Sequence, residues 1–122
     1  MKRILIATIA APVLAAVVAP AMAEAHAVLV SSRPANGATV TAGAEDIELR
    51  FDSRIDARRS RLRLRFPDGR EVVLKPAAAS TPAIMTAHVG DLGSGAYTLD
   101  YQVLAIDGHI TRGAIGFTVT KR

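Results

Sequence analysis

The chain has 122 residues, half of them hydrophobic, with a formal net charge of +4, no cysteine and no tryptophan. That length suits one small domain with one modest core, and the lack of cysteine excludes a disulfide framework. The mild positive charge, without aromatic side chains on which bases stack, argues against a nucleic-acid binder.

The chain opens with Lys2 and Arg3, followed by residues 4–18, which are apolar apart from Thr8 and Pro12. Pro20 ends any helix ahead of two overlapping small-x-small triplets, Ala21-Met22-Ala23 and Ala23-Glu24-Ala25. A basic start, a short apolar stretch and a small-residue cleavage site make a secretory signal peptide. The apolar stretch is shorter than the roughly 20 residues that a membrane span needs. No adjacent arginine pair is present, which favours the general secretion route. The small-residue rule allows a cut after Ala23 or after Ala25, and the second makes His26 the first residue. With residues 1–25 as the signal peptide, 97 of the 122 residues remain, 26–122, as one exported domain.

Beyond residue 26, apolar and polar residues alternate. Ile47, Leu49 and Phe51 point one way and Glu48, Arg50 and Asp52 the other. Leu62, Leu64 and Phe66 alternate with Arg61, Arg63 and Arg65; Leu99, Tyr101 and Val103 follow the same rule, as do Ile115, Phe117 and Val119. A period of two predicts half-buried strands. Pro34-Ala35-Asn36-Gly37, Pro67-Asp68-Gly69 and Gly93-Ser94-Gly95 are turn sequences. Pro67-Asp68-Gly69, between strand-like runs, predicts a hairpin, and residues 77–82 read as a small-residue loop. No segment sustains a 3.6-residue period. Seven to nine short strands with frequent turns predict an all-β fold, a Greek-key β-barrel or β-sandwich.

Three histidines carry the candidate chemistry: His26, His88 and His109. A chain that begins at His26 offers its α-amine and an imidazole nitrogen from one residue. Asp107-Gly108-His109 lies between two strands, and side chains two apart on an extended backbone share a face. Together these residues supply three nitrogens and one oxygen, a donor set that suits Cu(II). Taken alone, Asp-Gly-His reads as a hairpin turn with a solvated histidine; the pairing with an N-terminal histidine is what points to a metal. His88, near Gly90-Asp91, reads as a surface or packing residue.

The stretch His26-Ala27-Val28-Leu29-Val30-Ser31-Ser32-Arg33-Pro34-Ala35-Asn36-Gly37-Ala38 resembles the start of mature CopC-type periplasmic copper proteins. Residues 47–51 resemble that family's next strand. Gly95-Ala96-Tyr97 through Phe117 resembles its closing hairpin, with Asp107-Gly108-His109 on the copper motif. The resemblance spans residues 26–120 and implies a cupredoxin-like (Ig-like) Greek-key fold. It also implies a Cu(II) site made by His26, Asp107 and His109, and a periplasmic location. Many family members carry a Met-rich loop for Cu(I); here the only methionine after the leader is Met85, so no such site is expected. Some members have an acidic residue where this chain has Ser53; Asp52, one earlier, reads as a solvated strand-end carboxylate or as an additional ligand. Ala105 and Tyr101 stand where the family often has Ser and Trp.

Six arginines, Arg58, Arg59, Arg61, Arg63, Arg65 and Arg70, crowd one region. They read as a solvated strand face or as a surface for an acidic partner. The resulting expectation is a monomeric, non-enzymatic Cu(II)-binding protein that sequesters copper or hands it to an inner-membrane partner of the CopD type. N-terminal-His copper sites also serve oxidative polysaccharide-cleaving enzymes, but this small chain lacks tryptophan and adds a carboxylate ligand. The other reading is a metal-free Ig-like module that works through its arginine face.

Overall fold

The computed structural model describes residues 27–79 and 81–121, all strand, turn or irregular; His26 and the whole of the expected signal peptide lie outside the described residues. Nine strands run in chain order: β1 (Leu29–Arg33), β2 (Thr39–Thr41), β3 (Gly43–Phe51), β4 (Ile55–Arg65), β5 (Glu71–Leu74), β6 (Ala77–Ala78), β7 (Ile84–Leu92), β8 (Gly95–Ala105) and β9 (Ile110–Thr120). They form a four-stranded sheet of order β1-β3-β7-β6 and a five-stranded sheet of order β2-β9-β8-β4-β5. This is a Greek-key β-sandwich, in agreement with the all-β expectation.

The alternation explains why these residues become these strands. Ile47, Leu49 and Phe51 of β3 face Leu62, Leu64, Leu99, Val103, Ile115, Phe117 and Val119 of the other sheet, all of them buried. Each such side chain contributes about 1.5–3 kcal/mol on leaving water. Met85 is also fully buried, as part of the same core. Tyr97 stacks on Phe117 at 5.5 Å and donates its hydroxyl hydrogen to the Gly93 carbonyl, 2.8 Å away.

Among the described strands, β4–β5, β6–β7 and β8–β9 are joined within one sheet as antiparallel neighbours, and the remaining connections cross between sheets. Gly93-Ser94-Gly95 is therefore a crossover from β7 to β8. Pro34-Ala35-Asn36-Gly37 is another, from β1 to β2, with the Asn36 side chain accepting the Gly116 N–H at 2.9 Å. Residues 77–82 differ from expectation. Ala77 and Ala78 pair with Thr86 and Met85 and extend the four-stranded sheet; small side chains leave the backbone free to add an edge strand where no periodicity announces one.

Strand β4 carries an irregularity in its register with β8 between Asp56 and Arg61, so Arg58 and Arg59 are both exposed. Ser60 closes this bulge. Only 4 % exposed, it donates to the Asp56 carbonyl at 2.7 Å and accepts the Leu104 N–H at 3.1 Å. Beyond it the alternation resumes, with Leu62 and Leu64 inward and Arg61, Arg63 and Arg65 outward.

Candidate metal centre

Asp107 and His109 lie on the β8–β9 hairpin. The Gly108 N–H bonds to the Ala105 carbonyl at 2.9 Å and the Ala105 N–H to the His109 carbonyl at 2.8 Å. Gly108 has φ +94°, which glycine adopts without the Cβ clash that other residues meet. This is a three-residue hairpin loop, a turn followed by a glycine bulge. The two side chains meet because the bulge folds the chain back, not because an extended strand presents them on one face. The Asp107 carboxylate accepts the His109 N–H at 3.1 Å and lies 3.0 Å from His109 Nδ1.

The β4–β5 turn is built the same way. Phe66 N–H bonds to the Arg70 carbonyl at 2.8 Å, Gly69 N–H to the Phe66 carbonyl at 2.9 Å, and Gly69 has φ +89°. The Asp68 carboxylate accepts the Arg70 N–H at 2.9 Å. Aspartate and glycine thus serve the turn in both hairpins. Only the third residue differs, an imidazole in one and a guanidinium in the other. The Asp107–His109 carboxylate–imidazole contact is what the second turn lacks.

The hydrogen bond from the His109 N–H, and behind it the imidazole, holds the Asp107 carboxyl below the usual carboxylate range. A lowered folded-state pKa contributes stability above the ordinary carboxylate pKa, and that contribution disappears as pH falls through the lowered value. Because the backbone N–H is the largest single cause and survives the substitution, His109→Ala is expected to leave part of the depression in place. Carboxyl-carbon NMR titration of the metal-free protein checks this; an Asp107 midpoint that returns to the usual range in the variant would show the imidazole to be the main cause.

The start of the described chain reaches the same end of the sandwich by an indirect route. β1 pairs antiparallel with β3 in the four-stranded sheet, whereas β8 and β9 belong to the other sheet. β1 therefore does not run hydrogen-bonded beside the hairpin. The crossover at residues 52–54 joins them instead. The Asp52 carboxylate accepts the Val28 N–H at 2.7 Å, and the Asp52 N–H bonds to the Val28 carbonyl at 2.9 Å. Two residues on, the Arg54 carbonyl accepts the Ile106 N–H at 3.1 Å. Asp52 is thus more than a solvated strand-end carboxylate: it clamps the chain at Val28, two positions after His26 in the sequence. Nothing in its local sequence marks this function, because it depends on a partner 24 positions away.

Among the described residues, no group of three or more His, Cys, Asp or Glu side chains is placed to hold a metal ion. The hairpin supplies one imidazole and one carboxylate; the third expected contributor, His26, lies outside the described residues. His88 sits opposite Asp46 across β3 and β7, with Nδ1 2.7 Å from the carboxylate, both side chains largely exposed. It is a surface residue, as expected.

The arginine face is partly neutralised. Arg59 pairs with Asp56, Arg63 and Arg65 with Glu71, and Arg65 with Asp100 at 2.9 Å. Arg70 stacks over Phe66 at 4.3 Å. Solvated pairs of this kind are worth little, typically below about 1 kcal/mol.

A small Greek-key sandwich with a carboxylate–imidazole hairpin at the end where the described residues begin defines the class. The sequence profile of the CopC domain matches residues 29–120, and the chain belongs to the CopC family. The protein YobA of Escherichia coli K12 is 31% identical over 98 residues, covering 78% of this chain and 79% of YobA. The crystal structure of CopC from Methylosinus trichosporium OB3b superposes with a TM-score of 0.75 at 28% identity, over 80% of this chain and 96% of that one. PcoC from E. coli, a methionine-rich copper resistance protein, superposes with a TM-score of 0.66 at 26% identity, over 78% of this chain and 99% of PcoC. This chain departs from the methionine-rich pattern, its one methionine beyond residue 25 being the core residue Met85.

Proposed function

We propose that this protein is an exported, periplasmic Cu(II) carrier, with cleavage after Ala25 and a site made by the amine and imidazole of His26 together with Asp107 and His109. One observation carries the reading: the chain of contacts Val28–Asp52 and Arg54–Ile106 ties the residues just after His26 to the hairpin that bears Asp107 and His109. Kinship with copper resistance proteins supports copper as the cargo. Nitrogen and carboxylate donors without thioether favour Cu(II) over Cu(I). The Asp107 carboxylate lies 3.0 Å from His109 Nδ1, so an oxygen and a nitrogen donor are already together on the hairpin.

The same end supports hand-over to a partner. Val28, Ile106 and Ile110 are 55%, 70% and 46% exposed around the hairpin. Such an apolar rim suits docking against another protein, and an inner-membrane copper transport protein of the CopD type is the partner proposed.

Two forms of the protein test the site, one starting at His26 and one retaining Glu24-Ala25 ahead of it, each titrated with Cu(II) against a competing chelator. The longer form moves the free amine two residues away and is expected to bind at least about tenfold more weakly, the loss typical of a disturbed metal site. Equal affinities would remove the amine from the ligand set. Intact-mass measurement of the exported protein fixes the cleavage point independently.

A further inference from the structure

A cavity lies on the face of the five-stranded sheet. It is an open groove of about 660 Å³ lined by Arg61, Arg63, Lys75 and Arg112, with Asp100 and Gln102 between them. The register explains the cluster. Arg61 pairs with Gln102, which pairs with Arg112, so one row across three strands reads Arg-Gln-Arg. The next row places Arg63 beside Asp100. Neighbouring strands are about 4.8 Å apart, so Arg61 and Arg112 flank Gln102 across a backbone span of about 10 Å.

Charge in this groove is unbalanced. The lining holds four cations and one carboxylate, and that carboxylate already accepts a 2.9 Å bond from Arg65, which stands outside the lining. Arg63 shares Glu71 with Arg65 at 3.6 Å. Arg112 donates through Nε to the neutral Gln102 side chain at 3.1 Å. Nothing in the packing of the sandwich needs four cations gathered along one groove, where like charges repel.

We propose that this groove binds a small polyanion, a molecule with two or more carboxylate or phosphate groups. The volume falls within the range of small-molecule sites. Guanidinium forks match carboxylate and phosphate oxygens two at a time. A groove fits a compact ligand better than the plane of a membrane, whose flat surface does not follow the concavity. This site is independent of the copper reading.

The test is calorimetric titration of the metal-free protein with citrate and with pyrophosphate, acetate being the single-charge control. Citrate or pyrophosphate is expected to bind one to one and at least tenfold more tightly than acetate, with affinity falling as salt rises; the tighter of the two identifies carboxylate or phosphate as the preferred group. The double replacement Arg61→Ala, Arg112→Ala is expected to weaken binding at least tenfold at an unchanged melting temperature, and His109→Ala to leave it unaltered. The proposal is overturned if neither probe binds at 10 mM, if the double variant binds as well as the parent, or if a hexaglutamate peptide or anionic vesicles bind more tightly than both small probes.

Discussion

Replacement of His109 by alanine is expected to lower Cu(II) affinity at least about a hundredfold, about 2.7 kcal/mol, while shifting the melting temperature of the metal-free protein by no more than about 2 °C. The two parts have separate physical origins. His109 is 57% exposed at its side chain, and exposed substitutions away from special features usually stay within about 0.5 kcal/mol. The hairpin keeps its backbone bonds Gly108–Ala105 and Ala105–His109 and its Asp107 cap, all made by main-chain atoms of residue 109 or by other residues. The equivalent β4–β5 turn holds the same geometry with arginine in that place. Removing the ring therefore costs the fold little, whereas it deletes one proposed ligand outright. His88→Ala is the internal control. His88 and Asp46 form a comparable carboxylate–imidazole pair at 2.7 Å, but on β7 and β3 rather than on the hairpin, and their loss is expected to leave Cu(II) affinity unchanged. Chelator competition followed by the Cu(II) absorption or spin-resonance signal measures both. Undiminished binding by His109→Ala would rule the hairpin out as the copper site; a loss shared equally by His88→Ala would point to unspecific surface binding.

The largest stability effect is expected at Leu64. Leu64→Ala is expected to cost about 2–5 kcal/mol, the range for a leucine removed from a tight core, and to lower the melting temperature by at least about 10 °C. Leu64 is fully buried in β4, between Val72 of β5 and Leu99 of β8. Strands on both sides leave the surrounding backbone little freedom to collapse into the space. The protein has no cysteine, so no disulfide limits the unfolded ensemble, and a domain of this size has only about 5–15 kcal/mol in all. Val73→Ala, one position from Leu64's partner Val72 but 71% exposed, is expected to change stability by less than about 0.5 kcal/mol. Urea unfolding checks both: the midpoint should fall for Leu64→Ala with an unchanged slope. A midpoint within error of the parent would mean that the core reorganises around the lost side chain.

The strands were legible because burial in a sandwich imposes a period of two on the sequence itself. Ile47, Leu49 and Phe51, or Ile115, Phe117 and Val119, announce which face is inward before any partner is known. The Asp-Gly turns were legible for a similar reason: the bulged hairpin needs a residue tolerant of positive φ and a carboxylate for the backbone N–H, and both lie within three positions. β6 was not legible, because Ala77 and Ala78 show no alternation and join the sheet only through the edge that β7 offers. The clamp by Asp52 escaped notice because a carboxylate after a strand reads as solvated until its distant partner, Val28, is known.

The candidate site divides along the same line. From sequence alone come the residue types that can hold a metal, the leader whose removal would expose His26, and the hairpin that joins Asp107 to His109, since all of these depend on neighbours in the chain. Which sheet each strand enters depends on long-range pairing, and it is the tertiary structure that puts β1 and the β8–β9 hairpin in opposite sheets. Their ends meet only because the crossover at residues 52–54 bonds to Val28 on one side and to Ile106 on the other. The groove of Arg61 and Arg112 is likewise a product of register: 51 positions apart in the chain, they become near neighbours only when β8 lies between β4 and β9.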